Sequence, residues 1–250
     1  LSCYQETNQF ITAEELLKTK IQSNPSQVFL YVYLGYNYER QQQKETATIY
    51  YEKAISAIDK KSNYSGIIAT LFKNYSLLDY AIVAYEKAME NNPNANYNFQ
   101  IAQIYGEKGA FKKMFQSYID LIDKNPDYIN NVQRYASRYL TEDAENKNNI
   151  LFRKTLLRKS ASNPKDVWNV LLSWLFAQQK EYGKAFIQER ALYQRNPESL
   201  SQIFLLGKIA FENTDYDAAK QIFAFVNEKT SLREEKFEAN LYLAHIAVKT

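Results

Sequence analysis

Residue types that usually carry catalysis or metal binding are sparse in this sequence. It holds one histidine, His245, and one cysteine, Cys3. A zinc site needs several Cys, His or carboxylate ligands at suitable spacing, and no such set surrounds His245. A Ser-His-Asp arrangement would have to be built on the same residue, and none can be nominated. A surface or packing histidine is the simpler account. Gly106-Glu107-Lys108-Gly109 carries two glycines but follows no strand, so a helix-turn glycine explains it better than a phosphate loop. Thr141-Glu142-Asp143-Ala144-Glu145 is acidic, yet it lacks the alternating ligands and central glycine of a calcium loop. It reads as a solvated loop. Arg153, Lys154, Arg158 and Lys159 give one helix a basic side, either a solvated face or a patch that attracts an acidic partner. The expectation is a chain with no catalytic residues, no metal, no small-molecule cofactor and no enzymatic activity of its own.

The elements that would position these residues are helices. Six glycines and five prolines in 250 residues are few, and tight strand turns consume glycine. The charge is nearly balanced, with 31 basic and 28 acidic residues, which argues against nucleic-acid binding by phosphate neutralisation. No apolar run approaches the length of a membrane span. Tyrosine is abundant at 21 copies; its apolar body and polar tip suit a surface as well as a core.

A repeat accounts for the pattern. All five prolines follow asparagine: Asn24-Pro25, Asn92-Pro93, Asn125-Pro126, Asn163-Pro164 and Asn196-Pro197, at spacings of 68, 33, 38 and 33. The first spacing is twice 34, with Asp59 standing in the skipped slot. Tyr4 and Tyr38, Tyr51 and Tyr85, Ala54 and Ala88, and the series Ala13, Ala47, Ala81 keep the same 34-residue beat. Val28 to Gln41 and Glu45 to Ala57 have helical apolar spacing, separated by a short polar break. Two helices joined so closely lie antiparallel. Small Gly35, Ala47 and Ala54 let them approach, and Tyr38 and Tyr51 fill the space beside them. Asn-Pro reads as an end-of-hairpin signal, because proline cannot continue a helix and biases its predecessor towards extended geometry. Leu1-Ser2-Cys3 could pass for a lipoprotein cleavage box, but Tyr4, Asn8, Phe10 and Ala13 are already in register, so Cys3 reads as a helix residue.

These positions resemble the tetratricopeptide repeat family. Tyr31, Leu34, Gly35, Tyr38, Ala47, Tyr51 and Ala54 match its pattern well, as do Leu206, Gly207, Tyr216, Ala219, Phe223 and Val226. The stretch from Tyr128 to Pro164 fits worst, since Phe152 stands where a small residue belongs. The resemblance implies an all-α fold, a right-handed α-α superhelix of antiparallel hairpins. As one array over 1–250, the parts would be a part-hairpin 1–25; hairpins 26–59, 60–93, 94–126, 127–164 (irregular), 165–197 and 198–230; and a half-hairpin 231–250. Neither end carries the polar cap a solenoid needs, so the expectation is a piece of a longer chain.

The resemblance also implies a function: a protein-interaction scaffold or adaptor holding a peptide or protein surface in a concave groove lined by first helices. By register the groove positions are Phe29, Val32 and Tyr36; Phe99 and Gln103; Gln133 and Ser137; Val170 and Trp174; and Phe204, Lys208 and Phe211. For each residue, groove and core are both open. Their aromatic, aliphatic and amide character argues against a charged clamp for a terminal carboxylate and suits aromatic anchoring. The alternative is a structural segment of a cell-envelope or secretion assembly. That follows from a similarity to long tetratricopeptide proteins of bacterial envelopes, which would place the chain in the periplasm or envelope rather than the cytoplasm. The expected partner is a protein or peptide, with no nucleic acid, no small-molecule cofactor and no direct membrane span.

Overall fold

Every regular element among the described residues is helical, and consecutive helices pack in antiparallel pairs. The structure, a computed structural model, describes residues 2–58, 64–197 and 199–250, with side chains from Tyr4 onward. The skipped proline slot at Asp59 lies outside these residues. Two compact units result, residues 1–110 and 111–250.

The first unit contains α1 (Ser2–Glu6), α2 (Phe10–Ser23), α3 (Leu30–Arg40), α4 (Lys44–Ser56), α5 (Ser65–Asn74), α6 (Leu78–Asn91) and α7 (Asn98–Glu107). Its core is built from the small and large positions of the repeat. Ala47, Tyr51 and Ala54 on α4 and Ala81, Tyr85 and Ala88 on α6 are all buried. The close approach is literal at Gly35, where a Cβ would sit 2.4 Å from Cε1 of Tyr51. Tyr51 is held in turn: its hydroxyl donates to Oε2 of Glu39 at 2.5 Å, and its ring packs on Phe72 and Tyr80.

The second unit contains α8 (Phe111–Lys124), α9 (Ile129–Ala136), α10 (Lys147–Ser162), α11 (Asp166–Gln178), α12 (Tyr182–Arg195), α13 (Ser201–Glu212), α14 (Tyr216–Lys229) and α15 (Arg233–Lys249). Gly207 repeats the logic of Gly35, since a Cβ there would meet Ile222 at 2.9 Å and Phe223 at 3.0 Å. Trp168 is fully buried near the start of α11, and its Nε1 donates to the carbonyl of Asn163 at 2.8 Å.

The turns share one backbone device. Asn8, Gln42, Ser76, Gly109, Lys180 and Thr214 all have φ between 57° and 69°. Each follows the end of a first helix. At each, the next residue's N–H reaches back five residues to a helix carbonyl: Gln43 to Tyr38 at 3.0 Å, Leu77 to Phe72 at 2.9 Å, Glu181 to Phe176 at 2.9 Å. This is the Schellman ending, which satisfies the last carbonyls of a helix through a left-handed residue. The Asn-Pro junctions do the opposite work at the ends of second helices. There Asn24, Asn92, Asn125, Asn163 and Asn196 all have φ between −131° and −147°, the extended geometry that a following proline imposes.

The unit ending at Pro164 departs from this plan. Its first helix stops at Ala136, and Ser137–Tyr139 form a 3-10 turn. No described residue between Gly109 and Lys180 is left-handed. The loop is instead organised by Asn149, a fully buried side chain whose amide donates to the carbonyls of Thr141 at 2.7 Å and Asp143 at 2.6 Å and accepts from Thr141 N–H. Phe152, where a small residue was expected, is fully buried and stacks on Phe115 at 4.6 Å. The large side chain therefore belongs to the core.

Candidate functional site

The sequence-derived groove positions meet three fates, decided by what packs beside each first helix. Val32, Val170 and Phe204 each stand ten residues before a left-handed turn residue, so they are equivalent. Yet Val32 is 0% exposed, Val170 37% and Phe204 8%. Val32 lies in the core of the first unit and is not open to a partner. Phe204 is enclosed by Phe223 and Tyr242, at ring distances of 5.5 and 6.3 Å.

Lys208 and Phe211 share the surroundings of Phe204. The Lys208 ammonium pairs with Glu238 of α15 at 2.5 Å and lies 4.7 Å from the Phe204 ring centroid. Phe211 packs on Tyr242 at 5.1 Å and faces His245 at 6.5 Å. All three α13 positions thus have α15 as a neighbour and serve packing between hairpins. His245 itself is exposed, and among the described residues no cluster of His, Cys, Asp or Glu could hold a metal ion.

In the first unit the remaining positions build an aromatic strip. Tyr36 stacks on Tyr75 at 3.9 Å with an interplanar angle of 15°, and Phe29 packs on Tyr33 and Tyr64. Tyr33 and Tyr75 join at 5.9 Å. Burial pushes the Tyr75 hydroxyl well above its ordinary range. Tyr33, Tyr64 and Tyr75 were not among the groove positions read from register. Phe99 and Gln103 of α7 are half-buried.

In the second unit Gln133, Val170 and Trp174 come together. They line one cavity of about 260 Å³ with Leu205, Leu206 and Ile209 of α13. A neighbouring cavity of about 490 Å³ is lined by Val170, Leu192, Tyr193, Asn196, Gln202 and Ile203. Val170, Gln202 and Glu189 belong to both, so the two form one cleft between α11 and α13 with α12 contributing Glu189, Leu192 and Tyr193. Ser137 is exposed and stands off this cleft, because α9 has already given way to the 3-10 turn; its hydroxyl donates to the carbonyl of Arg134. Register reading missed Gln202, Leu205 and Ile209, which flank the α13 positions it selected. It also missed Glu189, because second-helix carboxylates are common and nothing in their spacing separates a half-buried one from a solvated one.

Burial raises the Glu189 carboxyl above the ordinary carboxylate range, opposed in part by a hydrogen bond from Ser173. The rim is ordered by polar contacts. Arg195 donates to Asp166 at 2.8 Å and to Asn169 at 2.8 Å, and Asn169 donates to Gln188 at 2.8 Å. The cleft is thus a largely apolar trough with two acids, Asp166 and Glu189, and a few amides. Such a surface can hold a side chain and orient it.

The basic side foreseen on α10 is partly occupied. Lys159 pairs with Asp123 at 2.5 Å, and Lys165 with the same carboxylate; the two hydrogen-bonded ammonium groups lower the Asp123 carboxyl. Arg158 and Lys159 line a cavity of about 490 Å³ with Lys112, Lys113, Thr155 and Ser162. No described helix is long and apolar enough to cross a membrane.

Residues 30–60 match the family model described as tetratricopeptide repeat. No curated protein matches the chain. Solved structures similar to it include a chain of Naa15/Naa10 bound to HypK-THB, 13% identical, covering 98% of this chain and 38% of that one, with a TM-score of 0.39. A tetratricopeptide repeat protein from Parabacteroides merdae is 14% identical over 98% of this chain and 95% of that one, TM-score 0.32. Yeast Tom70 is 14% identical over 97% of this chain and 59% of its own, TM-score 0.32. The chain thus spans less than two thirds of the Naa15/Naa10 chain and of Tom70.

Proposed function

From a tetratricopeptide repeat at residues 30–60 in an all-α chain of packed hairpins, we propose that this protein is a non-catalytic scaffold. Its second unit holds a segment of another protein in the cleft between α11 and α13. The observation that carries this reading is the unequal treatment of equivalent positions. Val32 and Phe204 are covered, while Val170 is left 37% exposed beside Trp174 and Leu205. Leu205 is itself 50% exposed. An apolar cleft with an aromatic at its wall and amides at its rim has the anatomy of a peptide-binding hot spot.

The test is a photo-crosslinking amino acid placed at Val170 in the cell that makes the protein, compared with the same group at Leu157. Leu157 is similarly exposed, at 49%, but lies on α10. A specific protein captured from position 170 and not from 157 supports the proposal. Equal labelling from both positions, or none from 170, counts against it.

A further inference from the structure

Glu189 lines the cleft without a cation, unlike the salt-bridged acids of its unit. Asp123 has Lys159 and Lys165, Asp166 has Arg195, Glu142 has Lys180, Glu181 has Lys184 and Glu238 has Lys208. Among the described residues no lysine, arginine or histidine lies within ion-pair distance of Glu189. Yet Glu189 lines both cavities of the α11–α13 cleft. The lining groups that titrate beside it are Asp166, already paired with Arg195, and Tyr193.

A half-buried carboxylate whose one hydrogen-bond partner is the neutral Ser173 hydroxyl is still costly to ionise. A cation brought into the same cleft would recover part of that cost. Lysine and arginine suit the remainder of the lining as well, because their methylene stems cover apolar surface while the head reaches a polar group. Val170 and Leu205 offer that surface.

We propose that the cleft between α11 and α13 receives a segment of a partner protein in which a Lys or Arg is flanked by apolar residues, with the cation pairing to Glu189. This rests on the scaffold reading above and adds the chemistry of the partner. Removing one member of a desolvated charge pair weakens binding strongly, mostly through the charge left unpaired.

The test uses the full chain immobilised and panned with phage-displayed random dodecapeptides. Selected sequences are then synthesised with a fluorescein label and titrated by anisotropy. The expected selection is enriched in Lys or Arg between apolar residues. Replacing the basic residue by norleucine should weaken binding at least tenfold. Glu189→Gln should weaken the basic peptide by a similar factor and leave the norleucine peptide unchanged. Val170→Glu should abolish binding of both. Circular dichroism and melting of each variant confirm that the fold is kept.

Peptides blocked by Val170→Glu but indifferent to Glu189→Gln would overturn this inference and leave the scaffold reading intact. Selection of a segment of this chain's own sequence, followed by concentration-dependent self-association, would overturn the partner proposed here in favour of a second copy. Failure to select any peptide sensitive to Val170→Glu would count against both readings.

Discussion

Gly35→Ala should destabilise the protein even though it improves helix propensity. Glycine in a helix interior costs about 1 kcal/mol relative to alanine, so an unobstructed site would gain that amount. Gly35 is obstructed: its Cβ would lie 2.4 and 2.5 Å from Cε1 and Cδ1 of Tyr51 and 3.1 Å from the Ala47 carbonyl. Tyr51 cannot swing aside, being 2% exposed, hydrogen-bonded to Glu39 and packed on Phe72 and Tyr80. Overpacking a well-filled core costs about 1–3 kcal/mol, and a clash this deep belongs at the upper end. The net expectation is a loss of about 2 kcal/mol, or roughly 4–8 °C in Tm.

Gly183→Ala is the control, since no atom lies within 4 Å of its Cβ; it should be neutral or raise Tm by a few degrees. Thermal melts followed by circular dichroism read both variants. The mechanism is isolated by repeating Gly35→Ala in a Tyr51→Leu background, where the ring is gone and the same change should become neutral or favourable. A Gly35→Ala protein more stable than wild type, or equally destabilised in both backgrounds, would refute the close-approach account.

Thr214 is β-branched at φ 63°, a conformation that costs a non-glycine residue about 1–2 kcal/mol. Thr214→Gly should raise stability by about 1 kcal/mol after glycine's entropy cost, measured by urea denaturation. Asn149→Ala removes the amide that organises the loop 140–146 and its three hydrogen bonds to that loop's backbone; a loss of about 2–4 kcal/mol is expected, with faster hydrogen exchange at Thr141. Glu189→Gln should be neutral or stabilising at neutral pH. Its folded-state carboxyl is raised above its unfolded value, so the cost of ionising it is absent below the unfolded pKa and appears as pH rises through the folded one. The variant's advantage in melting temperature should therefore grow with pH and vanish in acid.

Much of the fold was legible in the sequence. Ala47, Tyr51 and Ala54 recur at a fixed period because two helices can approach only where one side is small, and the structure places them in the core with Gly35. The Asn-Pro junctions were readable for a similar reason, since proline acts on its own neighbour. The turns were not. Five of the six left-handed residues are Asn, Gln, Ser, Lys and Thr rather than glycine, so composition does not mark them. The loop ordered by Asn149 depends on one side chain reaching three backbone groups, which spacing alone cannot reveal.

The candidate site was half legible. Register brought Gln133, Val170 and Trp174 to one cleft. It also nominated Val32 and Phe204, whose burial is decided by neighbouring helices rather than by their own place in the repeat. Glu189 was hidden because its isolation from cations is a property of the packed unit.

The claim at the centre of this account is that a partner segment occupies the α11–α13 cleft, and tryptophan fluorescence tests it without mutation. The two tryptophans are Trp168, fully buried, and Trp174, which lines the cleft. Acrylamide should therefore quench only the Trp174 component of the free protein. Saturation with the segment captured at Val170 should suppress that quenching. A quenchable component that persists unchanged at saturation would place the partner elsewhere and contradict the account.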